Sequence, residues 1–207
     1  VTFAYANGQP VVHNCSFVVH PGEKAVLSGA NGSGKSTVLR LFTGSYSGFT
    51  GSILVNDMPI GNYQLQALRS CTGIMSAQMD IFKGTLWENI TLGRTGISTD
   101  EVLDLAREIG LHSFIASRKE GLETLLEPAG SHIPAGVSRK ILLLRALVNR
   151  PRLLLLEEPW QGFDPEEKQR IQQLLLTRFT QTTVLVVTND ADFIRQCNRN
   201  IFLTPKN

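Results

Sequence analysis

The chain has 207 residues, which is long enough for one sizeable α/β domain with an attached lobe and too short for two independent enzymes. Its 20 basic and 18 acidic residues give a formal net charge of +2, and no run of Lys or Arg forms a stripe that could follow a nucleic-acid backbone. The charge balance therefore argues against a nucleic-acid partner.

The cysteines and the apolar runs do not suggest a secreted or membrane-spanning chain. Cys15, Cys71 and Cys197 are odd in number and lack C-x-x-C spacing, so they indicate cytosolic thiols rather than disulfides or a zinc site. The longest apolar runs, at 153–156 and 184–187, are far shorter than the roughly 20 residues that cross a bilayer. The sequence starts at Val1 without an initiator methionine, so we expect it to be part of a longer protein.

The first part of the chain predicts β structure followed by a strand, a loop and a helix. Residues 1–5 and 15–20 alternate between apolar and polar side chains, which is typical of antiparallel strands. Residues 24–28 have the pattern of a buried strand, and a glycine-rich loop follows them. Apolar residues at helical spacing then predict a helix over 36–42.

The middle of the chain predicts helices, and the last part predicts a βαβ unit. Ser98 and Glu101 fit a capping box, and apolar residues at helical spacing follow them. Further on, the sequence predicts a strand at 153–156, a helix at 165–179 and a strand at 183–187. This alternation implies parallel strands joined by helical crossovers.

The order of these elements predicts an α/β fold. We expect a core with a mostly parallel sheet, formed by about 1–77 and 151–207. An antiparallel β subdomain is expected at the N-terminal end. A helical subdomain is expected as an insertion at about 78–150, so that residues 1–207 form a single domain.

A phosphate-binding motif lies between the strand at 24–28 and the helix at 36–42. Its sequence matches G-x-x-x-x-G-K-[ST] in the strand–loop–helix context that the motif requires, which disfavours a chance glycine turn. Glycines let the backbone approach the phosphates closely, and successive N–H groups then point inwards. Lys35 is expected to reach the β- and γ-phosphates, and Ser36 is expected to ligate Mg²⁺. The predicted nucleotide contacts in the loop are Gly29, Asn31, Gly32, Ser33, Gly34, Lys35, Ser36 and Thr37.

Two acidic residues follow the second buried strand. Glu157 and Glu158 come directly after 153–156, at the carboxyl end of a parallel strand, where open α/β sheets bind their ligands. One acid can hold the water shell of Mg²⁺, and the other can orient or deprotonate the water that attacks the γ-phosphate. A Glu-Glu pair alone is more often a solvated strand end, but the phosphate loop upstream favours the catalytic interpretation.

Several further motifs occur in the order typical of one known family. A lone Gln78 precedes the helical middle, and residues 188–190 read Thr-Asn-Asp. Residues 84–90 read Gly-Thr-Leu-Trp-Glu-Asn-Ile, and residues 157–164 read Glu-Glu-Pro-Trp-Gln-Gly-Phe-Asp. Over nearly its whole length the chain resembles the ATP-binding cassette (ABC) ATPases, which implies a P-loop NTPase core. The segment at 84–90 is similar to G-T-x-x-E-N-I of the exporter branch, and 157–164 match D-E-P-T-S-A-L-D in register.

The resemblance implies a role for each matched residue. Tyr5 takes the place of the aromatic that stacks on adenine, the alternative being an ordinary core aromatic. Gln78 is implied to link Mg²⁺ and the attacking water to the surface that meets the membrane domain, and Glu158 is implied to be the general base. Asp164 is implied to reach across a dimer interface. Its place before Pro165 also makes it a good helix N-cap.

The chain departs from the family at the signature L-S-G-G-Q. This motif aligns with residues 133–137, Ile-Pro-Ala-Gly-Val, and a helix over 139–148 is expected to follow. The family's signature binds the γ-phosphate held by the partner subunit, which implies nucleotide contacts from Pro134, Ala135 and Gly136. Pro134 offers neither a hydroxyl nor an N–H group, and Ala135 adds a Cβ where a close backbone approach is needed.

Two further departures lie in the chain's own half of the site. Glu157 replaces the Asp on the Mg²⁺ side, and its extra methylene can shift the metal. Asn189 replaces the switch His, and its amide can donate a hydrogen bond to phosphate but cannot relay a proton as imidazole can. We therefore expect ATP binding with impaired or partner-dependent hydrolysis.

The leading interpretation is the ATP-driven motor domain of a membrane exporter at the cytoplasmic face of the cell membrane. The resemblance implies ATP and Mg²⁺ as cofactors. It implies a second nucleotide-binding domain and a transmembrane domain of the same chain as partners. The alternative is a domain that hydrolyses ATP poorly and completes another subunit's site, and the departures favour an unlike partner. A soluble cassette ATPase acting on DNA or ribosomes is disfavoured, because 78–133 contain no long heptad insertion.

Overall fold

The computed structural model describes residues 1–6 and 8–204. The strands, in chain order, are β1 (Lys24–Gly29), β2 (Leu54–Val55), β3 (Met58–Pro59), β4 (Thr72–Met75), β5 (Gly84–Thr85), β6 (Leu125–Leu126), β7 (Leu153–Glu157), β8 (Thr183–Val187) and β9 (Arg199–Leu203). The α-helices are α1 (Lys35–Leu41), α2 (Leu65–Ser70), α3 (Leu86–Thr91), α4 (Thr99–Glu108), α5 (His112–Ala116), α6 (Ala135–Leu147), α7 (Pro165–Thr177) and α8 (Ala191–Gln196). Short 3₁₀ turns lie at Ile60–Asn62, Gly121–Glu123 and Pro128–Gly130.

The centre of the fold is a five-stranded sheet with the order β4-β7-β8-β1-β9. Each of its neighbouring pairs is parallel. Two small antiparallel pairs, β2 with β3 and β5 with β6, lie outside it. The α/β fold with a mostly parallel sheet, predicted from the order of the elements, is confirmed.

Helices cover both faces of this sheet, because its strands are apolar on both sides. Alternate residues enter two hydrophobic cores, as the two-residue period of a strand requires. The face packed against α6, α7 and α8 and against the helical middle of the chain carries Val26, Leu154, Leu156, Val184 and Val186. The opposite face, covered by α1 and α2, carries Ala25, Leu27, Leu155, Leu185 and Val187. Residues from 78–150 therefore share a continuous core with the sheet.

A buried arginine connects α6 to α3. The guanidinium of Arg145 donates to the backbone oxygen of Asn89 at 2.7 Å and to its side-chain oxygen at 3.1 Å. The fully buried Asn89 in turn donates to the backbone oxygens of Phe82 and Thr85, at 2.9 and 3.0 Å. Because the polar groups of this network are paired inside an apolar core, the network fixes how the two helices pack.

The helix starts in the middle of the chain differ from the sequence prediction. The side chain of Ser98 accepts a hydrogen bond from the N–H of Glu101, so it is an N-cap, but the Glu101 carboxylate binds Arg150 instead of completing a capping box. The complete capping box belongs to α3 and pairs Thr85 with Glu88. A cap is decided by which donors lie within reach, and Arg150 is reachable only through the fold.

One predicted helix start and one predicted strand were wrong. The helix predicted over 139–148 begins at Ala135, directly after Pro134. The antiparallel strand predicted at 15–20 does not form within the described residues. A β-strand needs a series of backbone hydrogen bonds to a neighbouring strand. In the described structure only Cys15 of this segment bonds to the N-terminal β segment, and its N–H donates to Val1 O at 2.9 Å. The N-terminal β subdomain is built on bridges such as Thr2 with Thr50.

A membrane-crossing helix is not found in the part of the chain that the structure describes, because none of its helices is both long and apolar enough. The longest described helices, α6 and α7, have 13 residues each. A transmembrane helix needs about 20 residues.

Candidate active site

The predicted site residues come from strands that are neighbours in the sheet. Strands β7, β8 and β1 lie side by side, and their carboxyl ends lead into Glu158, Thr188 and Ala30 respectively. Open α/β sheets bind ligands at this edge. The sheet order therefore brings the phosphate loop, the acidic strand end and the segment at 188–190 to one edge.

A cavity of about 260 Å³ opens at this edge. Its walls combine phosphate-loop residues with both carboxylates, and it is lined by Val11, Asn31, Gly32, Ser33, Gly34, Lys35, Ser36, Thr37, Glu157, Glu158 and Val187. The structure thus brings together the loop and the two acids that the sequence placed more than a hundred residues apart.

The backbone of the loop requires glycine at two of its positions. Gly29 has φ 138°, and a Cβ added to it would lie 2.2 Å from the backbone oxygen of Leu203. Gly34 has φ 88°, and a Cβ there would lie 2.6 Å from the backbone oxygen of Val11. Both the conformation and the lack of space exclude larger residues at these positions, and Gly34 is part of the cavity wall.

Lys35 is buried inside the loop, with only 8% of its surface exposed. Its ammonium group donates to Gly29 O at 2.8 Å and to Ala30 O at 2.7 Å. These are neutral acceptors, and within residues 1–6 and 8–204 no acid forms an ion pair with Lys35. An anionic group in the cavity is the natural counter-charge for it.

Glu157 joins the phosphate loop to the segment after β4. One of its carboxylate oxygens accepts a hydrogen bond from Ser36 Oγ at 2.5 Å, and the other accepts from Ala77 N at 3.0 Å. Glu157 as a whole is 9% exposed, although it lines the cavity. The predicted metal residue Gln78 follows Ala77 directly, with an exposed side chain outside the lining of the cavity.

Glu158 has a backbone conformation that is unusual for a residue with a side chain. Its φ is 42°. Its backbone N–H donates to Val187 O at 2.9 Å, and its backbone oxygen accepts from Arg139 Nη2 at 2.5 Å. Its carboxylate accepts from Thr188 Oγ1 at 3.0 Å. Burial raises the pKa of Glu158, and Thr188, Arg139 and Lys35 act in the opposite direction. A half-buried carboxylate with a raised pKa, held in a strained loop, suits a general base.

Asn189 bonds to the backbone of the phosphate loop. Its side-chain oxygen accepts from Gly29 N at 2.9 Å, and its side-chain nitrogen donates to Gly29 O at 3.0 Å. It does not line the cavity. A direct contact between Asn189 and phosphate stays a prediction, since its amide is engaged with the loop here.

Tyr5 lies beside the loop, 37% exposed. Its hydroxyl is 3.1 Å from Thr37 Oγ1, and its ring packs edge-on against Phe3 and Tyr46, with centroids 5.1 and 5.8 Å away. The sequence analysis did not single out Tyr46, because no local pattern marks it. One part of the Tyr5 ring thus belongs to an aromatic cluster and the rest is open to solvent.

The residues predicted to act across a dimer interface lie away from this cavity. Pro134, Ala135 and Asp164 are exposed, and the space around Gly136 is open. Asp164 caps α7, accepting from Glu167 N at 2.8 Å, which confirms its predicted capping role. Within this chain, none of these four residues lines the cavity.

Arg139 and Thr188 contact Glu158 but were missed by the sequence analysis. Thr188 is part of the Thr-Asn-Asp segment, so its position at a strand end was an available signal. Arg139 lies in the first turns of α6, and only the packing of α6 on the core shows that its guanidinium reaches Glu158 O. Burial lowers the pKa of Arg139, while Glu158 and Glu157 favour its charged form.

A larger cleft of about 1070 Å³ lies near the amino ends of the strands, where Pro21, Arg152 and Thr183 line it. Two of its arginines form ion pairs with its acids, Arg150 with Glu101 at 2.9 Å and Arg178 with Asp104 at 2.8 Å. Because the phosphate loop and both carboxylates lie at the smaller cavity, we place the candidate site there.

Comparison with known families agrees with this geometry. The model of the family described as "ABC transporter" matches residues 12–161, which include the phosphate loop, both carboxylates and the helical middle. The chain belongs to the ABC transporter family. The matched segment includes all the residues that line the cavity except Val11 and Val187.

Relatives of this ABC domain are exporter-type proteins. It is 34% identical to the uncharacterized ABC transporter ATP-binding protein YknV of Bacillus subtilis, over 98% of this chain and 34% of the relative. It is 28% identical to the ATP-dependent lipid A-core flippase of Chromobacterium violaceum, over 98% of this chain and 35% of the relative. The solved structure of a bacterial Atm1-family ABC exporter with ATP bound matches with a TM-score of 0.89 and 27% identity, over 98% of this chain and 36% of that one.

The ABC domain spans about a third of the length of these relatives. The fold and the family of this domain are therefore shown by the 207 residues themselves.

Proposed function

We propose that this chain is the ATP-binding and ATP-hydrolysing domain of an ABC exporter, which closes as a dimer on Mg-ATP to drive transport. The observation that carries the proposal is the cavity in which the phosphate loop meets Glu157 and Glu158. Two similar proteins support it: an ATP-dependent lipid A-core flippase, and a bacterial Atm1-family ABC exporter whose structure was solved with ATP bound.

The residues of the cavity fit ATP and Mg²⁺. Gly34 lets the loop backbone pass close to Val11 O, where a Cβ would collide, and the Lys35 ammonium lies among neutral backbone oxygens at the cavity. Ser36 and Glu157 offer oxygen donors, and Mg²⁺ prefers oxygen and uses few protein carboxylates when phosphates complete its shell. The described residues contain no group of three His, Cys, Asp or Glu that could hold a metal without phosphate. When bound, Mg²⁺ neutralises charge on the phosphates.

Glu158 is proposed as the general base, with Asn189 and Gln78 as supporting polar groups. Its raised pKa lets it accept a proton from an attacking water, and its fixed peptide keeps the carboxylate at the cavity wall. Glu157 is bonded to Ser36 and is therefore placed on the metal side instead. The two acids thus divide the roles.

The proposed partners are a second nucleotide-binding domain and a transmembrane domain in the same chain, at the cytoplasmic face of the cell membrane, without nucleic acid. The start of α6 is exposed, and among the described residues no side chain caps it, so the N–H groups of Ala135 and Gly136 are available to a partner's phosphate. Near the β5–β6 pair, Phe82 and Leu125 are 40% and 75% exposed, which supports contact with another domain there.

A second candidate function is a domain that binds ATP, hydrolyses it poorly and completes a better subunit's site. The observation that favours it is the start of α6, where Pro134 is the N-cap residue and makes no side-chain capping bond. Ala135 occupies the first helical position. A homodimer would receive this altered signature at both of its sites, whereas an unlike partner could repair one of them.

Substituting Tyr5 by alanine should weaken the binding of ATP but not that of inorganic triphosphate. The open part of the ring can stack on adenine, and stacking on a base contributes roughly 1–3 kcal/mol. Calorimetry with both ligands measures the difference. Tyr46→Ala, which removes an edge-on neighbour of Tyr5, is the matched control for loss of the aromatic cluster. Equal losses for ATP and triphosphate would refute adenine stacking.

The double substitution Pro134→Ser with Ala135→Gly should raise ATP-driven dimerisation of the chain about ten- to a hundredfold. A restored hydroxyl and a closer backbone each favour the partner's phosphate, and a hydrogen bond to a charged group contributes roughly 1.5–3 kcal/mol. Light scattering with Mg-ATP, in the Glu158→Gln background where hydrolysis cannot reopen the dimer, measures the closing equilibrium.

Two controls separate this effect from simple helix stabilisation, because serine is also a better N-cap than proline. The same variant with ADP should remain monomeric. Pro134→Ala with Ala135→Gly restores the N–H without the hydroxyl and should dimerise less. If the unmodified chain already dimerises as well as the double variant, the altered signature is tolerated and the unlike-partner candidate is wrong.

A further inference from the structure

The side chain of Asn189 extends the pairing between β8 and β1 by one residue. The backbone bonds between these strands end where Thr188 N–H donates to Leu27 O at 3.2 Å. At the next step, the Asn189 amide accepts from Gly29 N–H at 2.9 Å and donates to Gly29 O at 3.0 Å. A primary amide has the same donor and acceptor as a peptide group, so it can replace the next residue of a neighbouring strand.

Gly29 is the residue at which β1 turns into the phosphate loop. It pairs with Leu203 of β9 on one side and with the Asn189 amide on the other. Its carbonyl oxygen also accepts from Lys35 Nζ at 2.8 Å. The orientation of this one carbonyl therefore links Asn189 to the ammonium group that is proposed to bind phosphate.

We propose that Asn189 is a positioning residue, which holds the phosphate loop in its binding conformation through Gly29. Its oxygen and one of its two N–H groups are already bonded to Gly29, and its side chain does not line the cavity. It acts on the nucleotide through Lys35, which serves the β-phosphate as well as the γ-phosphate. A sensor of the γ-phosphate would instead affect ATP alone.

This inference rests on the proposed function, because it takes the ligand to be ATP. Asn189→Ala should weaken the binding of ATP and of ADP by the same factor, about fivefold to fiftyfold, as expected for the loss of two neutral hydrogen bonds. Asn189→His should weaken ADP similarly, since an imidazole cannot bond to both the N–H and the C=O of Gly29. Isothermal calorimetry with each nucleotide and Mg²⁺ measures both variants.

Asn200→Ala is the matched control. Asn200 lies on β9, and its side-chain oxygen accepts from Ser28 Oγ at 2.6 Å, one residue before Gly29. The Asn200→Ala substitution removes a hydrogen bond at the same end of β1 and should leave the affinities for ATP and ADP unchanged. A loss confined to ATP, no loss in Asn189→Ala, or an equal loss in Asn200→Ala would each overturn the proposal.

Amide exchange in the nucleotide-free chain tests the same inference without any ligand. The Gly29 amide donates to Asn189, so its exchange, followed by NMR, should accelerate at least about fivefold in Asn189→Ala and stay unchanged in Asn200→Ala. Thermal melts of the variants show whether the fold as a whole is intact. If wild-type chain binds neither ATP nor ADP, the proposed function fails, while this measurement still decides the role of Asn189. Unchanged exchange at Gly29 overturns it.

Discussion

Replacing Glu158 by glutamine should reduce ATP hydrolysis by about 100-fold or more while leaving the affinity for Mg-ATP nearly unchanged. The amide has almost the same shape, so the bond from Thr188 and the peptide contacts with Arg139 and Val187 can persist. What is lost is the proton acceptor. Phosphate release under saturating ATP measures turnover, and calorimetry measures affinity.

Glu157→Gln is the matched control, since it makes the same change one residue earlier. Glu157 accepts from Ser36 and from the Ala77 amide, so this variant should raise the Mg²⁺ concentration needed for half-maximal activity. If Glu158→Gln keeps full turnover and Glu157→Gln loses it, Glu157 is the base and the assignment of the two acids is reversed.

Replacing Lys35 by alanine should weaken ATP binding by about ten- to a hundredfold, the range for the loss of one charge-assisted hydrogen bond of roughly 1.5–3 kcal/mol. In the structure, the ammonium donates to the neutral backbone oxygens of Gly29 and Ala30. Phosphates supply the counter-charge. ATP affinity is measured by calorimetry, together with thermal melts of the free chain.

Lys83→Ala removes an exposed lysine and serves as the control for the change in net charge. It should leave ATP affinity and stability unchanged. Should Lys35→Ala bind ATP as tightly as the wild-type chain, the nucleotide does not occupy the cavity beside the loop. The proposed function would then lose the observation on which it rests.

The secondary-structure elements that could be predicted from the sequence are those with signals in adjacent residues. Strand β8 has the bounds predicted for it, and α7 begins at Pro165 behind the Asp164 cap. The phosphate loop was recognised because glycine spacing, a lysine and a flanking strand and helix all lie within a short segment. Caps, turns and strand periodicity depend on neighbours in the chain, so a single sequence contains them.

Predictions failed where a segment needed a distant neighbour. Residues 15–20 alternate as a strand does, but within the described chain they find no ladder to join. Glu101 satisfies the capping-box pattern, yet its carboxylate binds Arg150, which lies 49 residues away in the chain. Local patterns state what a side chain can bond with, and the fold decides which partner is close enough.

Only the tertiary structure shows which polar groups at the site bond to each other. Ser36 bonds to Glu157 across 121 residues, and Asn189 bonds to Gly29 across 160. The types of these residues suggested metal and phosphate contacts. Their partners follow from the order β7-β8-β1, which places three strand ends side by side and aligns Asn189 with Gly29. Hydrogen bonds act over about 3 Å, so strand order and register determine which of the possible contacts forms.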